Sequence, residues 1–284
     1  MNCRLRFAFL ALAMCGALVA DAVAGPISVG NLVVVRVGSG EASLSSNAQA
    51  SFLEEFQTDG TAVQTIPLPT AVSGSHRPLT NNGTATSEGF LKQSGNGFYL
   101  TLAGYAATPG AANPANANAG DVNRVVGRVE IATGDVDTTT ALNNAYSGSN
   151  VRGAVSTNGN DIWLGGNAGS GLADTPGVQY ATFGNASSVR VNDGGGNRRV
   201  VGIFDGRLYV SAASGSFQSL STMDDPLPMG PGQDPEAVLP GMPTAAGSSI
   251  YDFWFRDSST VYLASESNAA NNGGIQKWTF DGAD

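Results

Sequence analysis

The feature that most constrains this chain is a strand–turn–strand unit that recurs along it. In each copy an apolar strand is followed by a short polar turn, and then by a second strand with an aromatic residue near its start. One such sheet cannot bury both of its apolar faces, whereas sheets packed face to face around an axis can. The aromatic anchors are 64, 46 and 53 residues apart, close to the ~40–50 residues of one unit in a radial repeat. They are Tyr99, Trp163, Tyr209 and Tyr262.

A second repeated element indicates that the units have internal order. The segments GVQYATF (177–183) and GIQKWTF (274–280) agree by residue type at five of seven positions, and each lies about one strand beyond an anchor. Segments 31–37, 51–57 and 61–68 predict strands B, C and D of a first unit that has no strand A. The sequence therefore predicts an all-β protein. We expect a β-propeller of four-stranded antiparallel blades, about five in number, forming an incomplete or open ring.

The amino terminus has the pattern of an export signal. A positively charged start precedes an apolar run at 7–20. Ala22 and Ala24 then form a small-x-small cleavage site before Gly25. We therefore predict a signal peptide at 1–24, a propeller domain at 25–284, and a secreted location, extracellular or periplasmic. Both cysteines lie within the predicted signal, so the remaining chain has no thiol for catalysis, metal binding or redox chemistry.

The charge balance limits the class of partner. The chain has 14 basic and 23 acidic side chains, a formal net charge of −9 and a sequence pI near 4.5. A nucleic-acid-binding surface needs a basic face, and this composition does not favour one. Beyond the signal, no apolar stretch approaches the ~18 residues of a transmembrane helix.

Two long irregular segments separate the predicted strands. Residues 104–123 form a low-complexity tract of Ala, Asn, Pro and Gly, for which we expect a mobile insertion. Residues 223–247 contain six of the 13 prolines and no strand pattern. Because prolines stiffen a chain, we expect an ordered path across a blade edge there.

Few residues suggest catalysis or metal binding. The one histidine, His76, has no Gly-x-Ser-x-Gly motif elsewhere in the chain to support a catalytic triad, which favours an exposed loop residue. Neighbours in a strand point to opposite faces, so Glu54 and Glu55 are predicted not to share a site and to be solvated. Asp135 and Asp137 could present oxygens to calcium from one loop, but aspartates are also good turn formers, and both alternatives stay open.

A more specific hypothesis follows from the radial arrangement. Residues just before each strand A should lie at one mouth of the central channel. Two acids and two bases meeting there could bind a polar ligand. The alternative is a ring of salt bridges with no ligand. The four residues are Glu88, Arg152, Arg199 and Asp252.

Three segments carry a resemblance to a known group. The sequence FWFRDSSTVYLAS…NNGGIQKWTFDG, which begins at residue 253, resembles a blade of the secreted bacterial β-propeller proteins and, distantly, the NHL-type repeats. Segments 151–166 and 30–38 resemble the same group. The resemblance implies the fold and export but no activity, and its members usually continue for about two more blades. We therefore expect an exported, non-enzymatic binding or scaffold protein with no cofactor, whose partner is a small polar ligand or an extracellular molecule. The alternative is a calcium-dependent propeller hydrolase of the lactonase or phytase type.

Overall fold

The computed structural model describes residues 24–169, 176–192, 197–214, 218–232, 237–242, 249–271 and 273–282. The predicted signal peptide lies outside these residues except for Ala24. Every regular element longer than three residues in the described ranges is a β-strand, in agreement with the predicted all-β class. Within those ranges, the short 3₁₀ turns Pro114–Asn116 and Ala269–Asn271 are far below the length that a membrane-spanning helix requires.

Blade 1 contains three antiparallel strands, which confirms the strands predicted for the first unit. The run of valines alternates between the two faces of the sheet, so Val33 and Val35 pack with the buried Leu53 and Ile66 while Val34 remains exposed. No inner strand precedes them in the described chain. The strands are β1 (Leu32–Val37), β2 (Ala48–Phe56) and β3 (Ala62–Pro67).

Blade 2 has an interrupted inner strand. Its strands are β4 (Thr80–Asn82), β5 (Lys92–Gln93), β6 (Tyr99–Tyr105), β7 (Arg124–Glu130) and β8 (Val136–Leu142). Both β4 and β5 pair with β6, and β4 also pairs with the start of β2. Blades 1 and 2 therefore share one continuous sheet, which the prediction of separate blades did not include.

Blades 3 and 4 are four-stranded, and blade 5 has three strands among the described residues. Each strand pairs antiparallel with the next. Blade 3 contains β9 (Val151–Ser156), β10 (Asp161–Gly166), β11 (Gly177–Thr182) and β12 (Val189–Arg190). Blade 4 contains β13 (Arg198–Phe204), β14 (Arg207–Ala212), β15 (Ser219–Thr222) and β16 (Ala237–Val238). Blade 5 contains β17 (Ile250–Asp257), β18 (Thr260–Ser265) and β19 (Gly274–Thr279). The protein is thus a β-propeller of about five blades, and the described residues do not form a closed ring.

The aromatic anchors hold consecutive blades together. The ring of Tyr99 lies so close to Gly159 of blade 3 that a Cβ atom there would be 2.4 Å from it. Trp163 is fully buried, and its indole N–H donates to the carbonyl of Pro228 in blade 4 at 2.7 Å. Tyr209 contacts Phe255 of blade 5, with ring centroids 4.4 Å apart. Each of these three anchors therefore packs against the following blade.

The tract at 104–123 is packed, contrary to the mobile insertion that its composition predicts. Ala48 exchanges backbone hydrogen bonds with Gly110 and Ala111, and Pro114 and Ala115 are buried. The main reason is the fully buried Arg124, which follows the tract directly. Its guanidinium donates to the carbonyl oxygens of Val122, Ala115, Ala117, Tyr146 and Ser149 at 2.6–3.1 Å.

The proline-rich segment at 223–247 contains a strand that its sequence did not predict. Strand β16 completes blade 4 by pairing with β15, although it is only two residues long. Met223 and Met242 are buried, and the carbonyl of Pro226 accepts the backbone N–H of Leu208 at 2.7 Å. Residues 233–236 and 243–247 of the segment lie outside the described residues.

Candidate functional site

Three of the four predicted mouth residues lie within the first three residues of inner strands, and the fourth lies in a loop. Arg152 and Arg199 are each the second residue of their strands, β9 and β13, and Asp252 is the third residue of β17. Glu88 lies in the loop between β4 and β5. Three of the four are therefore inside the inner strands. The prediction that they precede these strands was wrong because the strands extend further toward the mouth than their apolar pattern indicates.

Glu88 is held by three hydrogen-bond donors. Its carboxylate accepts the hydroxyl of Tyr105 at 2.6 Å, the backbone N–H of Asn82 at 2.9 Å and the side-chain amide of Asn150. Burial raises the pKa of Glu88 above its usual value, and these hydrogen bonds and the nearby Arg152 oppose the shift only in part. The mouth thus contains one acid that binds a proton more readily than an exposed glutamate.

Two guanidinium groups face the same region. Arg152 is buried and donates to the hydroxyl and carbonyl oxygens of Ser87, while Arg199 lies over the ring of Tyr251 at 4.6 Å. Burial and then the repulsion from Arg199 lower the pKa of Arg152 to about 10. The Nε atoms of both arginines are buried without a hydrogen-bond partner among the described residues. The two cations are close enough to interact and have unused donors.

Asp252 is separated from this group by an ion pair of its own. Its carboxylate contacts the ammonium of Lys92 at 2.5 Å, and that ammonium also lies 5.2 Å from the ring centroid of Phe253. Because Lys92 belongs to blade 2 and Asp252 to blade 5, the pair crosses the space between two inner strands. Next to it lies a cavity of about 320 Å³ that extends to Gly95 and Val155. Asp252 is therefore engaged by a cation.

The aspartates predicted for calcium lie apart from the channel mouth. Asp135 is exposed, and Asp137 is 3.6 Å from the guanidinium of Arg128 and 3.8 Å from the imidazole of His76. They line a surface cavity of about 390 Å³ together with Glu130. Among the described residues, no group of three or more His, Cys, Asp or Glu is placed to hold a metal ion. Calcium binding here stays a prediction. The basic side chains next to Asp137 would compete with a cation for its carboxylate.

The adjacent glutamates of β2 point to opposite faces, as predicted, but Glu55 is not solvated. Glu54 pairs with Arg36 at 2.5 Å on one face. Glu55 is buried on the other face, where it accepts hydrogen bonds from Gln64, Ser28 and Asn31. Burial alone would raise the pKa of Glu55, but these hydrogen bonds together lower it. The role of Glu55 is to tie the start of the described chain to blade 1.

Several mouth residues were missed by the sequence reasoning. Tyr251, Lys92 and Asn150 carry no motif, and each contacts a residue of another blade. Tyr251 offered one signal, since it is the residue before Asp252 in an inner strand. Lys92 is one of only two lysines in the chain, which could have marked it for attention.

The raised pKa of Glu88 predicts a pH dependence of stability. The folded state holds the Glu88 proton more tightly than the unfolded state, whose pKa is near the usual 4.5. The stabilisation from this group is therefore complete below about 4.5 and is lost as the pH rises through the raised folded pKa. We expect the difference in unfolding free energy between wild type and Glu88→Gln to decrease with rising pH, measured by urea unfolding from pH 4 to 8. A difference that grows with pH contradicts the assignment.

Comparisons with known proteins find similar solved structures but no matching sequence family. No family model and no curated protein matches the sequence, so the resemblance to the secreted and NHL-type propellers stays a prediction. The chain is similar to solved structures of two proposed 6-phosphogluconolactonases. The one from Bacteroides uniformis is 14% identical with a TM-score of 0.44, and the match covers 89% of this chain and 69% of that protein's chain. The one from Bacteroides fragilis is 12% identical with a TM-score of 0.46, covering 89% and 68%. An oligogalacturonate lyase in complex with manganese is 8% identical with a TM-score of 0.40, covering 86% and 77%.

Proposed function

We propose that the channel mouth binds a small organic anion through Arg152 and Arg199, and that the protein is a propeller-type binding module. The observation that supports this is the pair of adjacent guanidinium groups whose buried Nε atoms have no described partner. Neither arginine forms an ion pair with a described residue, and Glu88 interacts with Arg152 only over a longer distance. A buried cation without a counterion is costly, so a ligand that supplies negative charge would stabilise the site.

The chemistry of arginine narrows the ligand class. Its planar donor fork matches the oxygens of a carboxylate or a phosphate, and hydrogen bonds of this kind are stronger than neutral ones. A divalent cation would be repelled by two guanidinium groups and attracted by only one carboxylate. The ring of Tyr251 lies under the Arg199 guanidinium, 4.6 Å from it, and helps to hold that donor in place. A carboxylate- or phosphate-bearing molecule is the best match.

A lactonase-like hydrolase is the second candidate, and one observation favours it. Glu88 has a raised pKa beside two cations, so in its ionised form it could take a proton from water while the arginines stabilise an oxyanion. Among the functions predicted from the sequence, the names of the structural neighbours agree with this alternative better than with a non-enzymatic scaffold. A shared propeller fold does not define an activity, so those names only suggest compounds to test first.

Replacing Arg199 with methionine tests the binding site. Losing a charged hydrogen bond of about 1.5–3 kcal/mol should weaken anion binding by roughly 10- to 150-fold. Calorimetric titration with gluconate, galacturonate and inorganic phosphate measures the affinity. Arg256→Met removes an exposed arginine and serves as the control, for which we expect less than a twofold change. Equal affinities for wild type and Arg199→Met would contradict the proposal.

A hydrolysis assay separates the two candidate functions. Purified protein is incubated with glucono-1,5-lactone at pH 7, and acid release is compared with the spontaneous rate. A binding module leaves this rate unchanged, whereas a hydrolase raises it and loses the increase in Glu88→Gln. Binding of gluconate by a protein without lactonase activity supports the first function.

A further inference from the structure

The carboxylate of Glu88 is fixed beside the guanidinium of Arg152. It accepts the side-chain amide of Asn150, which lies two residues before Arg152 at the start of β9. The residue before it, Ser87, accepts hydrogen bonds from the Arg152 guanidinium through its hydroxyl and carbonyl oxygens. An anion bound by Arg152 would therefore lie close to a carboxylate that cannot move away.

The three hydrogen bonds to Glu88 leave a place for one proton. Oε1 accepts the hydroxyl of Tyr105 and the amide of Asn150, which together occupy both of its lone pairs. Oε2 accepts the backbone N–H of Asn82 and has a second lone pair. A proton bound to Oε2 leaves all three hydrogen bonds in place. The carboxylate then becomes a neutral acid with an O–H group of its own.

Phenols and guanidinium groups surround Glu88 and Arg152. Tyr105 stays neutral between pH 5 and 8, because burial raises the pKa of its hydroxyl well above 10. Arg152 stays cationic, because the pKa of its guanidinium is lowered only to about 10. Glu88 is therefore the acid of this cluster, and its raised pKa moves its change of charge toward neutral pH. The other members of the cluster are Arg124 on β7, Arg199 on β13 and Tyr251 on β17.

We propose that the mouth binds its anion together with one proton, which Glu88 takes up, an inference that rests on the anion site proposed above. An ionised Glu88 offsets part of the charge of Arg152 and repels a second anion, whereas the neutral acid does neither. The proton comes from solvent and bonds to the carboxylate, and no other covalent bond changes. Because the coupling is reciprocal, the anion strengthens proton binding as much as the proton strengthens anion binding. The ligand is thus held in mildly acidic surroundings and released as the pH rises.

Sulfate tests the coupling, because its charge does not change between pH 5 and 8. Calorimetric titration of the full chain should give an affinity on the order of 10-fold higher at pH 5 than at pH 8, the effect of one like charge ~10 Å away at an effective dielectric constant of ~20. Glu88→Gln imitates the neutral acid, so its affinity should match that of wild type at pH 5 and change less than about twofold with pH. Glu41→Gln makes the same change at an exposed position and should keep the pH dependence of wild type.

A proton count provides a test that needs no variant. Titrations of wild type with sulfate in buffers of different ionisation enthalpy measure the protons taken up, and we expect uptake in wild type and none in Glu88→Gln. If circular dichroism shows that Glu88→Gln does not fold, the count on wild type decides alone. Equal affinities at pH 5 and 8 without proton uptake would overturn the coupling and leave the anion site standing, as would a pH dependence that persists in Glu88→Gln. No sulfate binding by wild type or Glu88→Gln at either pH would overturn the anion site itself.

Discussion

Replacing Arg124 with methionine is expected to lower the free energy of unfolding by about 3–5 kcal/mol. The side chain is fully buried, and its guanidinium is the donor for five carbonyl oxygens. Methionine fills similar space but donates nothing, so buried acceptors would lose their partner. Two of the five, those of Ala117 and Tyr146, keep a backbone donor, which limits the loss. Denaturant unfolding followed by circular dichroism measures it.

A surface arginine provides the matched comparison for Arg124. Arg256→Met makes the same chemical change at a side chain that is 61% exposed, and should alter stability by less than about 0.5 kcal/mol. Arg124→Met should also make the 104–123 tract susceptible to proteolysis, because the guanidinium binds three carbonyls within it. A loss below about 1 kcal/mol with an intact tract would show that the tract is ordered by other contacts.

Truncation of Trp163 to alanine should have an effect of similar size, about 3–5 kcal/mol. The indole is fully buried between blades 3 and 4, where it packs with Val201 and Leu208 and donates to the Pro228 carbonyl. Alanine leaves a cavity between the blades and an acceptor without its donor. The change is measured by urea unfolding of wild type and variant.

Two further variants, Trp163→Phe and Trp254→Ala, serve as comparisons for Trp163→Ala. Trp163→Phe keeps much of the packing but loses the N–H donor and part of the ring volume, so it should cost less than Trp163→Ala, about 1–2 kcal/mol. Trp254→Ala removes the same type of side chain at a position that is 62% exposed, and should cost under about 1 kcal/mol when measured on dilute protein. Equal losses at Trp163 and Trp254 would rule out the interblade role of the anchor.

The radial packing could be predicted because it depends on a pattern that repeats. Each anchor sits at the start of a strand and must be covered, so Tyr99, Trp163 and Tyr209 indicated both the strands and the stacking of one sheet on the next. Whether a connecting loop is structurally ordered could not be predicted from the repeat. The 104–123 tract looks simple in composition, yet one buried charge after it orders it through backbone carbonyls that carry no side-chain signal.

The candidate site was predicted in part for a related reason. Arg152 and Arg199 lie near the starts of inner strands, a position that follows from the repeat. Their proximity could therefore be predicted from the sequence. The partner of Asp252 could not be predicted, because the long side chain of Lys92 reaches it from a blade 160 residues away along the chain. The two-residue strand β16 and the pairing of β4 with two neighbours are too short to leave a pattern.

The double pairing of β4 also has a mechanical consequence. All three of its residues pair with β2, and Thr80 also pairs with Tyr105 of β6, so the first two blades cannot separate without breaking backbone hydrogen bonds. Backbone hydrogen bonds also join blades 2 and 3, from Phe90 to Arg152 and from Gly95 to Ser156. Blades 4 and 5 meet through side chains such as the rings of Tyr209 and Phe255. Blades 1 to 3 are therefore joined through their backbones, and exchange of backbone amide hydrogens should be slow where β4 pairs with β2 and where Phe90 bonds to Arg152.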